Sequence, residues 1–484
     1  MRVCLATPAL ISSSPYEPMA MPLGIAYLGA VLEGAGFEVI LIDGVISGPV
    51  VQIAPERYRI GLDPDALAQA VANTKPDLIG LSCPFTSRYS LFRQSLRAIR
   101  NLLPNTPLVV GGIHPTLFYQ QVLEQDKPDV VVLGEGELTL LELAKRTADT
   151  GFPNPEGLDG VAWLHEGQVQ VYPRKQYIEN LDDLPEPARH LFQMEEYLKR
   201  SGGRWASFRK SAMSIMTSRS CPGRCSFCSI HTVFGPKWRA HSPQRVLNEL
   251  SGIVNKYNPY LVAIEDDRFT WDRDRLIAIC QGIQDMRLRV RWHTPNGVHV
   301  ADLDEEVLRI MKAAGCVALN LAIESGDPYI LNEVMGKKAT SEQARKVAEA
   351  CRKLGIRMNA YFVIGMPGET DETVQHSLDL CLQLPLDGLD VFIATPFPGT
   401  RLFKQCVEKG YIEGDTVLKS LSEGDDPRVF LLPSYDTDTM SRERLLWWQR
   451  KFYGEFMKQL YRRRPLVRFR KTARNVYHKL RSLV

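Results

Sequence analysis

The sequence lacks the features that mark membrane-spanning, exported and nucleic-acid-binding proteins. No apolar run approaches the ~20 residues that a membrane-spanning helix needs, and the N-terminus has no long apolar segment or cleavage site typical of a signal peptide. No aromatic-basic platform or known nucleic-acid-binding fold is indicated, so we expect no nucleic-acid partner. A disulfide pattern is also missing, because seven of the ten cysteines stand singly in apolar contexts. This usage favours buried thiols in a reduced, cytoplasmic protein.

The residues that are present suggest four segments. A chain of 484 residues with 44% hydrophobic and 24% charged residues can form about three globular units with sizeable cores. We expect an α/β domain over residues 1–142, a connector over 143–205, a second α/β domain over 206–400 and a helical C-terminal segment over 401–484. The connector is rich in turns and proline, and includes a hairpin around Glu166-Gly167.

Five short apolar runs alternate with helical patterns in the first segment. The runs are Val3–Ala6, Glu38–Ile42, Leu78–Leu81, Leu108–Val110 and Val130–Leu133. This alternation predicts an α/β fold with a flavodoxin-like, doubly wound parallel sheet, which binds ligands at the carboxyl ends of its strands. No G-x-G-x-x-G follows the first strand, which disfavours a dinucleotide. The loops after the strands are instead rich in small residues, which let backbone approach a bulky ligand closely.

Six strand and helix repeats follow from Ser211. The strand candidates are Ala212–Thr217, Leu261–Ile264, Val290–His293, Val317–Ile323, Arg357–Ile364 and Leu389–Ala394. Six repeats are too few for a closed eight-stranded barrel, so the pattern predicts a partial (β/α)6 barrel. In barrels of this kind the chemistry lies at the carboxyl ends of the strands.

The loop after the first of these strands carries three closely spaced cysteines. Cys221, Cys225 and Cys228 have a C-x3-C-x2-C spacing with no fourth cysteine to close it. Three thiolates on one loop can hold three corners of a [4Fe-4S] cube and leave one iron open for a small molecule. A zinc site needs a fourth ligand, which His231 could supply, so zinc is an alternative on the loop alone.

Together these stretches resemble the cobalamin-binding radical S-adenosylmethionine enzymes. C-P-G-R-C-S-F-C is similar to that family's cysteine loop, and A-I-E-S-G (Ala322–Gly326) and F-V-I-G-M-P-G-E-T (Phe362–Thr370) are similar to its later strand-end motifs. The resemblance implies an open iron chelated by S-adenosylmethionine, with contacts to this ligand from Phe227, Glu324, Ser325 and Gly365. Asp266 and Asp267, in the acidic segment after the second strand, would orient the ligand or a substrate; a solvated acidic loop is the alternative.

The same resemblance implies that the first domain binds cobalamin. The matching turns are G-G-I-H-P-T and G-E-G-E, and the implied cofactor-binding residues are Pro8, Ser82, Gly111, Gly112, His114, Gly134, Glu135 and Gly136. The D-x-H-x-x-G loop that supplies an axial histidine in many cobalamin proteins is missing, and His114 does not fit it. We therefore expect cobalamin to bind without a histidine from that motif on cobalt. A degenerate sheet that binds no cobalamin is the alternative.

The resemblance implies an enzyme that methylates an unactivated carbon of a small-molecule or lipid substrate. A 5′-deoxyadenosyl radical would abstract a substrate hydrogen, and the substrate radical would take a methyl group from methylcobalamin. An external one-electron reductant of the flavodoxin or ferredoxin type would supply the electron. Radical cyclisation, ring rearrangement or hydroxylation on the same cofactors is one alternative. A structural or sensing metal site in a binding protein is the other.

The end of the chain is unusual in charge. Residues 461–484 carry nine Arg or Lys and no Asp or Glu, in a chain whose formal net charge is only +3. Basic residues alternate there with apolar ones, as in helices that lie on membrane surfaces. The tail therefore predicts peripheral membrane contact, which would suit a lipid-soluble substrate; a solvated tail is the alternative.

Overall fold

One large mixed sheet organises the first half of the computed structural model, which describes residues 1–17, 19–200, 211–413 and 433–463. The strands of this half are β1 (Arg2–Thr7), β2 (Leu10–Ser12), β3 (Glu38–Asp43), β4 (Val50–Ala54), β5 (Arg57–Ile60), β6 (Leu78–Ser82), β7 (Leu108–Gly111), β8 (Val130–Val132), β9 (Val161–His165) and β10 (Gln168–Tyr172). The sheet has the order β10-β9-β8-β7-β6-β1-β3. Its strands β3, β1, β6, β7 and β8 are parallel and follow the flavodoxin-like order 2-1-3-4-5, which confirms the predicted sheet.

Helices bury this sheet on both faces. They are α1 (Leu23–Gly34), α2 (Pro64–Asn73), α3 (Tyr89–Leu102), α4 (Ile113–Leu117), α5 (Tyr119–Asp126) and α6 (Glu137–Thr150). Alternate residues of β1 enter different cores: Val3 and Leu5 belong to one, and Cys4 and Ala6 to the other. Because both faces are covered, these strands read as continuous apolar runs in the sequence.

Two elements of this half differ from the sequence interpretation. The hairpin of β9 and β10, which the sequence assigns to the connector, pairs antiparallel with β8 and extends the large sheet. Strands β2, β5 and β4 form a separate antiparallel sheet that the sequence did not predict. Its strand β4 has the sequence V-V-Q-I-A and is nevertheless mostly exposed.

A second, open sheet organises the rest of the chain. Its strands and the short ribbon beside them are β11 (Ala212–Ile215), β12 (Ser218–Arg219), β13 (Arg239–Ala240), β14 (Leu261–Ile264), β15 (Trp292–Val298), β16 (Cys316–Glu324), β17 (Arg357–Ile364) and β18 (Gly388–Ile393). The sheet order is β11-β14-β15-β16-β17-β18, and every neighbouring pair is parallel. All six predicted barrel strands are present, and the partial barrel is confirmed.

The remaining helices pack around this open sheet and follow it. They are α7 (Met194–Arg200), α8 (Ile230–Phe234), α9 (Pro243–Tyr257), α10 (Arg273–Asp285), α11 (Glu305–Ala313), α12 (Ser341–Leu354), α13 (Asp371–Gln383), α14 (Arg401–Glu408) and α15 (Arg442–Arg463). Local signals fix several ends: Thr340 and Gln343 form a capping box at the start of α12, and Gly355 ends it in a left-handed conformation.

Helix α15 packs against the barrel through Leu445, Trp448 and Phe452, all of which are buried. The Tyr453 hydroxyl accepts a hydrogen bond of 3.1 Å from the backbone N–H of Val391 in β18. Beyond residue 463 the basic tail lies outside the described residues. Within the described ranges, no helix combines the length and apolar character that crossing a membrane requires.

Candidate active site between the two sheets

A chamber of about 1200 Å³ lies where the carboxyl ends of the two sheets face one another. The first domain lines it with residues that include Ser82, Gly111, Gly112, Gly134, Glu135 and Gly136. The second domain lines it with residues that include Phe227, Glu265, Asp267, His293, Asn320, Glu324 and Tyr361. The two sets of strand-end loops that the sequence singled out separately are therefore brought together in one space.

The cysteine loop is anchored at its centre. Ser226, which is buried, donates from its backbone N–H to the Met335 carbonyl at 2.8 Å and from its hydroxyl to the Val334 carbonyl at 2.9 Å. The Ser226 carbonyl accepts a hydrogen bond of 2.9 Å from the N–H of Leu402. These bonds tie the loop to the segment after β16 and to the start of α14, so the cysteines sit on a fixed backbone.

Asp266 anchors the base of the same loop. Its buried carboxylate accepts hydrogen bonds from the Thr217 N–H at 2.5 Å, the Thr217 hydroxyl at 2.6 Å and the Ser218 hydroxyl at 2.6 Å. It faces the stem of the loop and is not part of the chamber wall. Its neighbour Asp267 does line the chamber, and burial together with the charge of Asp266 raises the pKa of Asp267 to about 7.

Two cationic side chains, Lys337 and Arg268, lie near the cysteines. The sequence interpretation did not include either of them. Burial raises the pKa of the Cys225 thiol, while the charges of Lys337 and Arg268 act in the opposite direction. Lys337 is buried and forms an ion pair of 2.8 Å with Glu324, and Arg268 binds Asp302 through two nitrogens at 2.7 and 2.9 Å. Burial has the larger effect, so the two cations offset only part of the cost of forming a thiolate at Cys225.

Glu324 reaches the chamber through an irregular backbone. The pairing of β16 with β17 shifts register between Ala322 and Glu324, so one extra residue bulges from β16. Glu324 itself has a φ of 65°, in the left-handed region that residues other than glycine rarely adopt. A bulge of this kind re-aims a side chain, and here the Glu324 carboxylate lines the chamber beside the ammonium of Lys337.

The barrel strands also place two buried polar atoms without a hydrogen-bond partner among the described residues in the chamber wall. Asn320 donates to the Pro295 carbonyl at 2.6 Å and to the hydroxyl of Tyr361, and Tyr361 donates to the same carbonyl at 2.5 Å. The amide oxygen of Asn320 and Nδ1 of His293 are buried, and neither has a hydrogen-bond partner among the described residues. Burial lowers the pKa of His293 to about 4, so its ring is neutral near neutral pH. The wall thus offers a ligand one hydrogen-bond acceptor on Asn320, and on His293 a ring nitrogen that accepts or donates according to its tautomer.

Several residues that the family resemblance implied lie outside the chamber lining. His114 is buried between Tyr89 and Phe118, with ring centroids 4.1 and 4.7 Å away, and burial lowers its pKa to about 3. Its Nδ1 lies 3.3 Å from the Thr86 hydroxyl, so the ring belongs to a core of the first sheet. This placement does not favour a direct contact with cobalamin.

Three more of these residues likewise lie outside the chamber lining: Pro8, Ser325 and Gly365. Pro8 is buried beside Gly44, and the Ser325 hydroxyl lies 3.1 Å from that of Ser377. Gly365 adopts a φ of 93°, and its N–H donates to the Glu369 carboxylate at 2.5 Å. Their placement favours a structural role at these strand ends over direct contact with a ligand in the chamber.

In the G-E-G-E turn the glycines line the chamber, whereas the glutamate carboxylates form ion pairs with the second domain. Gly134 and Gly136 line the chamber, as does part of Glu135. The Glu135 carboxylate, however, is buried in ion pairs with Arg239 at 2.7 Å and Arg219 at 3.3 Å, both from the second domain. These contacts hold the pKa of Glu135 below its usual value despite the opposing effect of burial.

The donor set of the cysteine loop suits an iron–sulfur cluster. All three thiols are free, and thiolate sulfur is the ligand that such clusters use. Nε2 of His231 lies 2.7 Å from the carbonyl oxygen of Cys221, so this nitrogen holds the loop. Within the described ranges, no three His, Cys, Asp or Glu side chains are already gathered around one metal position. The fit rests on the number and chemistry of the thiols. Three thiolates bind three irons of a [4Fe-4S] cube and leave the fourth iron open.

The wall from the first domain suits a broad, flat ligand. Gly111, Gly112 and Gly136 expose backbone rather than side chains to the chamber. A Cβ at Gly112 would lie 2.5 Å from the Cys83 carbonyl oxygen, so this turn excludes any larger residue. Open turns at the carboxyl edge of a flavodoxin-like sheet are where such folds bind their cofactors.

Comparison with known proteins agrees with both halves of the site. The chain matches the B12 binding domain over residues 15–144 and the radical SAM superfamily over residues 215–381. An uncharacterised methyltransferase of Pyrococcus horikoshii is 31% identical over 388 residues, which are 80% of this chain and 78% of that protein. Cytidylyl-2-hydroxyethylphosphonate methyltransferase of Streptomyces wedmorensis is 28% identical over 82% of this chain and 80% of its own length.

A solved structure shares the arrangement of the two domains. The radical S-adenosylmethionine methyltransferase TsrM of Kitasatospora setae, with tryptophan substrate and an S-adenosylmethionine analogue bound, has a TM-score of 0.68. The match covers 85% of this chain and 77% of TsrM, at 22% identity, and so concerns the fold. With both domains matched in chain order and a relative at 31% identity over most of its length, the chain belongs to the cobalamin-dependent radical S-adenosylmethionine methyltransferase family.

Proposed function

We propose that this enzyme methylates an unactivated carbon of a small-molecule or lipid substrate inside the chamber between its two sheets. The observation that supports this most directly is that the cysteine loop, through Phe227 and Ile230, and the glycine turns of the first domain line the same chamber. A radical source and a methyl source can then act on one substrate without its release, which is the advantage of holding reactants in one site.

Each wall has its own task in this proposal. When bound, the [4Fe-4S] cluster and S-adenosylmethionine supply the 5′-deoxyadenosyl radical, and cobalamin supplies the methyl group. Cys221, Cys225 and Cys228 hold three irons, and Phe227 and Glu324 contact S-adenosylmethionine. Lys337 orients the Glu324 carboxylate through their 2.8 Å ion pair. Apolar lining residues such as Val363 and Phe392 exclude water from a reactive radical.

The substrate class follows only in outline. The Streptomyces relative is named for a phosphonate nucleotide and TsrM was solved with tryptophan, so related chambers accept chemically different molecules. In this chain the free amide oxygen of Asn320 favours a substrate with an N–H or O–H group at its buried end. Either a polar small molecule or a lipid with a polar end meets this requirement.

The test is product analysis with the anaerobically reconstituted holoenzyme. Methyl transfer consumes a second S-adenosylmethionine, so the substrate-dependent products include S-adenosylhomocysteine as well as 5′-deoxyadenosine. Turnover of the true substrate to 5′-deoxyadenosine and methionine without S-adenosylhomocysteine would instead indicate non-methylating radical chemistry. One zinc per chain and no cleavage of S-adenosylmethionine would indicate a structural or sensing site.

We also propose two partners for the enzyme. A flavodoxin- or ferredoxin-type protein is expected to supply the electron that starts each cycle. The basic tail is expected to bring the enzyme to anionic membranes, at about 1 kcal/mol for each basic residue near the surface. Co-sedimentation with vesicles that contain anionic lipid, compared between the full chain and a chain ending at Leu460, tests this. Equal pelleting of the two proteins would exclude a role for the tail.

A further inference from the structure

The cysteine loop begins and ends at a two-stranded ribbon. Ser218 pairs with Ala240, and Arg219 pairs with Arg239, in an antiparallel register. The 19 residues between Arg219 and Arg239, which include the three cysteines, therefore form one closed loop. The ribbon places one arginine at the entry of the loop and one at its exit.

Both arginines cross to the first domain and bind the same turn. Nη2 of Arg219 lies 2.6 Å from Oε1 of Glu137, and Nη1 of Arg219 lies 3.3 Å from Oε1 of Glu135. Nη2 of Arg239 lies 2.7 Å from Oε1 of Glu135. The two glutamates flank Gly136, which lines the chamber. This ribbon, which we call the neck of the cysteine loop, is thus ion-paired to the turn of the first domain that lines the chamber.

This ion-pair group is fully enclosed. All four side chains are 5% exposed or less. Further bonds fix the arginines: Arg239 donates to the Ile178 and Phe234 carbonyls, each at 2.7 Å, and the Arg219 guanidinium stacks over the ring of Tyr27 at 5.3 Å. The backbones also meet here, because a Cβ at Gly134 would lie only 2.6 Å from the Val233 carbonyl oxygen.

Buried ion pairs of this kind contribute little net stability, because the loss of hydration offsets most of their attraction. What a planar guanidinium adds is geometry: its fixed fork of donors holds two carboxylates at a set distance and angle. An apolar cluster of equal volume would join the domains as firmly, but it would not fix their register as closely. The placement of this group at the neck of the cysteine loop is therefore the feature that needs a functional explanation.

We propose that Arg219 and Arg239 are positioning residues that fix the cysteine loop against the Gly134–Glu137 turn. They thereby set the separation and orientation of the group held by the cysteines relative to the group held by the first domain. The inference rests on the proposed function, because it requires both cofactors to bind this chain. It adds that their relative placement is set by four buried charges and not by the domain packing alone.

The test compares three variants of the holoenzyme. Arg219→Met removes one cation, and Arg219→Met/Glu137→Leu also removes its partner, so that no carboxylate at position 137 is left buried without a cation. Arg189→Met is the matched control, because Arg189 forms a comparably buried ion pair with Glu249, at 2.6 Å, that does not involve the Gly134–Glu137 turn. Iron content, cobalamin affinity from absorbance titration and thermal midpoint are measured for each variant.

The decisive readout is the magnetic interaction between Co(II) cobalamin and the reduced cluster in electron paramagnetic resonance. We expect the double variant to fold and to bind both cofactors, but to show a weaker or more widely distributed interaction than the wild type. Cobalamin-dependent formation of S-adenosylhomocysteine should fall by roughly tenfold to a hundredfold, as for a misplacement of about 1 Å, while 5′-deoxyadenosine formation persists. Arg189→Met should change the thermal midpoint without changing the magnetic interaction.

The possible failures are distinguishable. A wild-type chain that binds no cobalamin or cleaves no S-adenosylmethionine would refute the proposed function itself. A double variant that folds and keeps both the wild-type magnetic interaction and the wild-type rate of S-adenosylhomocysteine formation would overturn the positioning role alone. If neither variant at Arg219 folds, Arg219→Lys, which keeps the charge but loses the fork, replaces them and is judged by the same two readouts.

Discussion

Gly134 offers the sharpest test of how closely the two domains must approach. It has a φ of 70°, and a Cβ added there would lie 2.6 Å from the Val233 carbonyl oxygen across the domain boundary. Gly151 provides a matched control, since its φ is 77° and a Cβ there would meet nothing within 4 Å. The two glycines share the same backbone requirement and differ in whether space is available.

The expected costs differ accordingly. Alanine in a left-handed conformation costs about 1–2 kcal/mol at either position. At Gly134 the clash with a backbone carbonyl must also be relieved by movement of one domain, which adds about 1–3 kcal/mol, as overpacking does in cores. We therefore expect Gly134→Ala to destabilise the protein by about twice as much as Gly151→Ala.

Urea unfolding and cobalamin titration measure the two consequences. Gly134→Ala should lower the apparent unfolding midpoint more than Gly151→Ala, and it alone should weaken cobalamin binding, because its turn lines the chamber. Equal midpoints and unchanged cobalamin affinity in both variants would refute the close approach at this boundary.

Three further predictions concern single side chains. Cys225→Ala should leave the apoprotein folded but abolish the iron–sulfur absorbance and the cleavage of S-adenosylmethionine, whereas Cys280→Ala, at a buried single cysteine, should keep both; loss of the cluster in neither variant would contradict the ligand set. His114→Phe should leave the Co(II) spectrum unchanged, because the ring lies in a core; a nitrogen splitting that disappears in the variant would show that His114 binds cobalt. Burial raises the pKa of Glu369 from 4.5 to about 7, so the folded protein holds a proton that the unfolded chain releases, and stability falls as pH rises through this window. In the wild type this effect costs up to about 3 kcal/mol of folding stability, and Glu369→Gln should remove it. The urea midpoint of the variant should therefore rise relative to that of the wild type between pH 5 and pH 8. A difference between the two midpoints that stays constant with pH would contradict the raised pKa.

Much of the architecture could be predicted because its signals are local. Parallel strands buried on both faces appear as short apolar runs, which is why Val3–Ala6 and Arg357–Ile364 mark true strands. The position of the cysteine loop followed from the same pattern, since Cys221 comes six residues after the end of β11. By contrast, β4 (V-V-Q-I-A) is mostly exposed and its partner β5 (R-Y-R-I) carries two arginines, so no pattern of a buried strand pair marks this hairpin.

The partners of the site residues could not be predicted, because they are distant in sequence. Glu135 lies in a glycine-rich turn that resembles a cofactor-binding motif, yet its carboxylate pairs with Arg219 and Arg239, over 80 residues away. Lys337 carries no motif at all, and only the fold brings it to Glu324 and to the cysteines. His114 stands beside two glycines that line the chamber, but the first turn of α4 directs its ring into the core.

The bulge at Glu324 sets backbone strain against a buried ion pair at one residue. A glycine there would accept the φ of 65° without strain and would relieve about 1–2 kcal/mol. It would also delete the carboxylate that faces Lys337 and the chamber. Because the buried Lys337 ammonium would then lose its only ion-pair partner among the described residues, at a cost of about 3–5 kcal/mol, the ion pair outweighs the backbone strain and keeps a carboxylate at the chamber wall.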